Sequence, residues 1–138
     1  MSNRLTDDLI SLIFDTGQIL REKAREKANF KDCSFLHMQT LHYIKDRTET
    51  TMKDLANYLH ITPPSATSLV NPLVAKGFVK RIIDAADRRT TKLRITSAGQ
   101  KLLKNNFKRV AAIMEKGVNK LSAREKNNFI AILNKISR

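Results

Sequence analysis

The feature that most constrains this chain is a change of period. Before Gly77 apolar residues recur every three or four positions, over residues 78–95 they alternate, and after Thr96 the helical spacing returns. A sequence patterned in this way predicts a mainly helical body with one small β-hairpin set into it. Phe78-Val79-Lys80-Arg81-Ile82-Ile83 and Thr91-Lys92-Leu93-Arg94-Ile95 read as the strands, joined by the polar turn Asp84-Ala85-Ala86-Asp87-Arg88-Arg89. In the second strand Leu93 and Ile95 face the core, and Lys92 and Arg94 face solvent.

The helical parts divide at their capping residues. Leu5, Leu9, Leu12, Ile13, Thr16 and Leu20 share one face of a first helix spanning roughly residues 4–28. Asp32 or Ser34 caps a second helix that runs to about Arg47, with Phe35, Met38, Leu41 and Ile44 inward. Thr50 or Thr51 caps a third, whose buried stripe is Met52, Leu55, Ala56 and Leu59. Thr62-Pro63 reads as the N-cap and first turn of a fourth, because proline has no amide hydrogen to waste there. Ala66, Leu69, Val70, Leu73 and Val74 are its inner face, and Gly77 ends it in the left-handed conformation that glycine adopts without strain. Pro72 removes an intrahelical bond to residue 68, so a kink or a shortened helix is expected there. Thr96 caps a long fifth helix through Leu103, Phe107, Val110, Met114, Val118 and Leu121. Ser122-Ala123-Arg124-Glu125 is a capping box opening a last helix that carries Phe129, Ile132, Leu133 and Ile136.

At 138 residues, 41% of them hydrophobic and 28% charged, the chain is expected to be one globular domain, residues 1–138. Its uncharged apolar runs fall far short of the ~20 residues needed to cross a bilayer, so no membrane association is expected. The first residues lack a small-residue cleavage site, and the single cysteine, Cys33, cannot make an internal disulfide; both point to the cytoplasm. No G-x-S-x-G, phosphate-binding loop, G-x-G-x-x-G or H-E-x-x-H occurs, so neither an enzyme nor a cofactor is expected.

Charge is distributed unevenly. The net charge is +13, yet residues 1–75 hold 9 basic and 9 acidic side chains while residues 76–138 hold 17 basic and 4 acidic. A field of that sign draws polyanions, nucleic acid first, although a lysine-rich solubilising surface has the same composition. The order of elements adds to the charge. Two short helices joined by a tight turn and followed by a hairpin describe a winged helix-turn-helix. The second helix buries Leu69, Val70, Leu73 and Val74 and presents Ser65, Thr67, Ser68 and Asn71, short polar side chains that let its backbone enter a major groove. Arg88 and Arg89 tip the hairpin, where a guanidinium can enter a narrow minor groove, with Asp87 beside them.

The run Lys76-Gly77-Phe78-Val79-Lys80-Arg81, followed by Asp84 to Gly99 with its Asp87-Arg88-Arg89 tip and Ile95-Thr96-Ser97-Ala98-Gly99, resembles the signature of the MarR family of bacterial transcription regulators. The specific part covers about residues 76–99, and the helix order and length match beyond it. The resemblance implies a homodimer held by its N- and C-terminal helices (residues 1–34 and 97–138), with a winged helix-turn-helix over 35–96. Such a dimer reads a pseudo-palindromic operator in double-stranded DNA as a ligand-responsive repressor. By residue, Arg89 is the implied minor-groove contact and Asp87 its orienter, Arg88 and Lys92 accompany them, and Ser65, Thr67, Ser68 and Asn71 match outward positions of the recognition helix. A small-molecule effector, apolar or phenolic and anionic, is implied in a crevice lined by the second helix with the first and fifth nearby. Residues 5–20 and 102–136 also carry more apolar positions than a lone winged module needs, which favours dimerisation independently.

Three other readings stay open at this point. One is a protein-interaction module of the same fold that does not bind DNA, and another is an architectural, sequence-nonspecific DNA binder. The third makes Cys33 a thiol redox sensor; the family's sensing cysteine lies in the first helix near Ile13, a position Cys33 does not match. His37 and His42, five apart on one helix, point to different sides and do not form a metal pair with each other or with His60.

Overall fold

The computed structural model describes residues 3–27 and 34–138. Its elements are α1 (Arg4–Lys27), α2 (Phe35–Lys45), β1 (Thr50–Thr51), α3 (Met52–Leu59), α4 (Pro63–Ala75), β2 (Val79–Ile83), β3 (Thr91–Ile95), α5 (Ser97–Val118) and α6 (Ala123–Ile136). All six helices and both hairpin strands lie where the periodicity places them. The addition is β1, two residues that read as a helix cap and serve as a strand as well.

Side chains set the helix starts. The Ser34 hydroxyl accepts from the His37 amide at 3.2 Å while His37 Nδ1 accepts from the Ser34 amide at 3.1 Å, a reciprocal cap with histidine where glutamate is usual. Thr51 and Asp54 make the same exchange at α3, as do Ser122 and Glu125 at α6. Thr62 accepts from the Ser65 amide at α4, with Pro63 in the first turn. Thr96 does two jobs. Its hydroxyl accepts from the Gly99 amide at 3.1 Å and donates to the Gly77 carbonyl at 2.6 Å, tying the start of α5 to the end of α4.

Gly77 takes φ +77°, the left-handed conformation expected of it. Pro72 does not shorten α4, which continues to Ala75 with the Lys76 amide donating to the Pro72 carbonyl at 3.0 Å. The physical reason is packing: Val70 and Leu73 flank the proline and are fully buried, and that burial outweighs one lost backbone bond.

The chain forms two compact units, residues 30–107 and residues 1–29 with 108–138. In the first, the three strands of the described residues form an antiparallel sheet in the order β1-β3-β2, with Thr50 opposite Leu93, Thr51 opposite Lys92 and Arg81 opposite Leu93. Leu41, Ile44, Leu55, Val70, Leu73, Val79 and Leu93 make its core, and Tyr43 and Leu103 close the edge. Gly99 explains the glycine of the T-x-x-G pattern: a Cβ there would sit 2.2 Å from the Phe78 carbonyl oxygen. In the second unit many large apolar side chains are exposed. Leu5, Leu12, Ile13 and Phe14 of α1 are more than half exposed, as are Phe129, Ile130 and Ile136 of α6.

Candidate nucleic-acid interface

The turn between α3 and α4 is built by His60, which adopts a left-handed conformation (φ 54°) as the C-cap of α3. That reversal sets α4 against α3 as the second helix of the pair. Ala66, Val70 and Leu73 anchor it to the core, which leaves Ser65, Thr67, Ser68 and Asn71 on the exposed side. The four are placed as the periodicity predicts, and three are already engaged. Ser65 Oγ lies 2.8 Å from Thr62 Oγ1, the Thr67 hydroxyl donates to the Pro63 carbonyl at 3.1 Å, and Asn71 Oδ1 accepts from Arg81 Nη2.

The wing turn is held by its aspartates. Asp84 Oδ1 accepts from the Ala86 amide at 2.9 Å, and the Asp84 amide donates to the Thr90 carbonyl at 3.1 Å. Asp87 Oδ1 accepts from the backbone amide of Arg89 at 3.0 Å, and its Oδ2 accepts from the Thr90 hydroxyl at 3.3 Å. Asp87 therefore acts on the main chain of Arg89, whereas the sequence reading gave it the guanidinium. Arg88 and Arg89 are exposed at the tip. Lys92 sits differently. Its ammonium lies 2.8 Å from Glu49 Oε1 and 3.4 Å from Asp84 Oδ2, with the side chain only 21% exposed. The Ala86 amide, then Lys92, hold the Asp84 carboxyl below its usual range, and Glu49 followed by Asp84 raise the Lys92 ammonium above its own.

Between α4 and the wing lies a concave surface of about 660 Å³, lined by Thr51, Lys53, Thr67, Asn71, Arg81 and Arg89 among others. Lys53 and Arg81 are absent from the sequence-predicted set. Arg81 shares a strand face with Val79, which is buried, so alternation alone assigns it no role at α4. Only the sheet's position shows that its long side chain clears the core and reaches Asn71.

A model of the MarR family matches residues 32–90. The chain is also similar in structure to a variant of MepR from S. aureus bound to an oligodeoxyribonucleotide, at 25% identity and a TM-score of 0.68, covering 93% of this chain and 94% of that one. Residues 32–90, which hold α2 to α4, β2 and the wing turn, thus match the MarR family of transcription regulators. A MarR family protein from Bacillus stearothermophilus superposes with a TM-score of 0.89 at 18% identity, over 99% of this chain and 96% of that one, which speaks for the fold. YwhA of Bacillus subtilis (strain 168), an uncharacterized HTH-type transcriptional regulator, is 26% identical over 88 residues, 64% of this chain. The match spans 63% of that relative's length. No helix among the described residues is long and apolar enough to cross a membrane.

The three histidines take structural places. His37 caps α2, His60 caps α3, and His42 Nε2 lies 3.4 Å from Asp46 Oδ2. Tyr43 is a core residue of this MarR-family fold, stacked 4.1 Å from the Tyr58 ring with the Arg47 guanidinium 3.6 Å from its own centroid. Cys33 lies outside the described residues. A cleft of about 640 Å³ between α2 and the first half of α5 is lined by His42, Lys45, Lys101, Leu103, Lys104 and Phe107, an apolar floor with cationic walls.

Proposed function

We propose that this chain represses transcription as a homodimer that binds a pseudo-palindromic operator in double-stranded DNA. The observation that carries the reading is the joint exposure of the α4 outer face and the Arg88-Arg89 tip on either side of one concave, cation-lined surface. Ser65, Thr67, Ser68 and Asn71 read base edges in a major groove, and Arg89 follows the adjacent minor groove. Phosphate contacts from the basic half supply affinity that falls steeply with salt. The similarity to a MepR variant bound to an oligodeoxyribonucleotide supports DNA as the partner.

The exposed apolar faces of α1 and α6 support a second copy as the other partner, because a lone chain would leave a large apolar patch in water. A two-fold pair presents two recognition helices about 34 Å apart, one turn of DNA. The cleft beside Lys45, Lys101 and Lys104 suits an apolar anion, which can release the operator only by binding a non-matching dimer geometry more tightly.

Selection of bound duplexes from a random pool, followed by gel-shift titration against random competitor, tests the reading. The expected result is an enriched sequence with two-fold symmetry. Binding with no enrichment would indicate an architectural binder. Failure to retain any duplex, or heparin, would indicate a protein-interaction module.

A further inference from the structure

The base of the wing carries a charged cluster that the concave surface does not use. Lys92 on β3 bridges Glu49 at 2.8 Å and Asp84 at 3.4 Å. Glu49 stands two residues before Thr51, the N-cap of α3, and is 43 residues from Lys92 in sequence. Asp84 is the first residue of the wing turn and is bonded through its carboxylate to the Ala86 amide and through its own amide to the Thr90 carbonyl. One ammonium thus links the segment that leads into α3 to the loop that carries Arg88 and Arg89. The two-residue strand β1 runs along the same seam, with Thr51 opposite Lys92, and gives this end of the sheet little backbone pairing of its own.

We infer that Lys92, Glu49 and Asp84 form a positioning site for operator recognition, an ion-pair strut that sets the wing tip relative to α4, and that Lys92 is not a phosphate contact. This rests on the DNA-binding reading above. An ammonium already shared by two carboxylates adds little to the field seen by DNA and displaces few of the cations condensed on its phosphates. Partly exposed ion pairs add little to stability, so the strut acts on where Arg89 sits and not on whether the domain folds.

Glu49 separates the two roles. A simple field argument makes Glu49→Gln bind DNA more tightly, because a negative charge is removed from a DNA-binding domain. The strut predicts the opposite. Fluorescence-anisotropy titrations of the full chain with the selected duplex, over a range of salt concentrations, read both effects. Glu49→Gln and Lys92→Met are expected to weaken specific binding about two- to fivefold, the worth of one partly exposed ion pair. Their slopes of log affinity against log salt are expected to stay at the wild-type value, and Lys92→Arg is expected to restore affinity. Unchanged or tighter binding by Glu49→Gln would overturn the strut, as would a slope smaller by about 0.9 in Lys92→Met, the mark of a lost phosphate contact. If the wild-type chain selects no duplex, the DNA-binding reading fails and the strut fails with it. If the wild type binds and Glu49→Gln binds as tightly or more tightly, the strut alone fails. Thermal unfolding of each variant confirms that it is folded.

Discussion

Two single residues separate recognition from folding. Arg89 is exposed, and only its backbone amide is fixed, by Asp87. Arg89→Ala is therefore expected to weaken operator binding by about 1–3 kcal/mol in a gel-shift titration while the unfolding midpoint stays put. Gly99 is the converse. A methyl group there meets the Phe78 carbonyl oxygen at 2.2 Å and Ile95 Cγ1 at 2.8 Å, and a backbone oxygen cannot step aside. Gly99→Ala is expected to lower stability by about 1–3 kcal/mol, read as a lower urea midpoint, with DNA contacts affected only through the loss of fold. Both residues belong to the pattern that marks the family, and their places differ: one is exposed at the wing tip, and the other lets α5 approach the wing's first strand.

Between elements, His37 joins α2 to α4. Burial is the largest influence on its imidazole and holds its pKa below the usual histidine value, nearby Lys76 pushes the same way, and a hydrogen bond to the Leu69 backbone opposes them. The sign follows from proton linkage. In the unfolded chain His37 titrates near its ordinary pKa of about 6.5, so below that pH the unfolded state takes up a proton that the folded state resists. This part of the stability is fully present above about pH 6.5 and is lost as pH falls from there through the lower folded pKa. Denaturant titrations at pH 7.5 and pH 5 are expected to show that loss in the wild type and a smaller one in His37→Gln. Pro72 carries a lesson at the same scale. Sequence rules treat it as a break, but α4 is held by its buried face, so propensity sets the cost of the helix and packing decides its length.

For the molecule as a whole, the exposed apolar faces of α1 and α6 make association the central test. Light scattering is expected to give a dimeric mass for the wild type. Leu12→Glu combined with Ile132→Glu places charges on both faces and is expected to yield a folded monomer with most operator affinity lost, because each monomer then engages one half-site alone. A stable wild-type monomer would remove the geometric basis for a two-fold operator. Salt provides an independent check. If six to ten phosphates are neutralised, affinity is expected to drop by about 10³–10⁵ between 50 mM and 200 mM salt.

Local chemistry was enough to place the helices, the hairpin and the exposed residues of α4, and to narrow the caps of α2 and α3 to two residues each, because capping, hydrophobic period and glycine geometry act over a few neighbouring residues. The same rules could not reveal β1, whose two threonines read locally as a cap and become a strand only because β3 passes beside them. They could not show that Arg81 reaches Asn71 or that Asp87 holds a backbone amide, and they left Lys92 looking like a free cation on a solvent-facing strand position. Its partner Glu49 is 43 residues away, and a charge so distant in sequence becomes a neighbour only when the sheet closes.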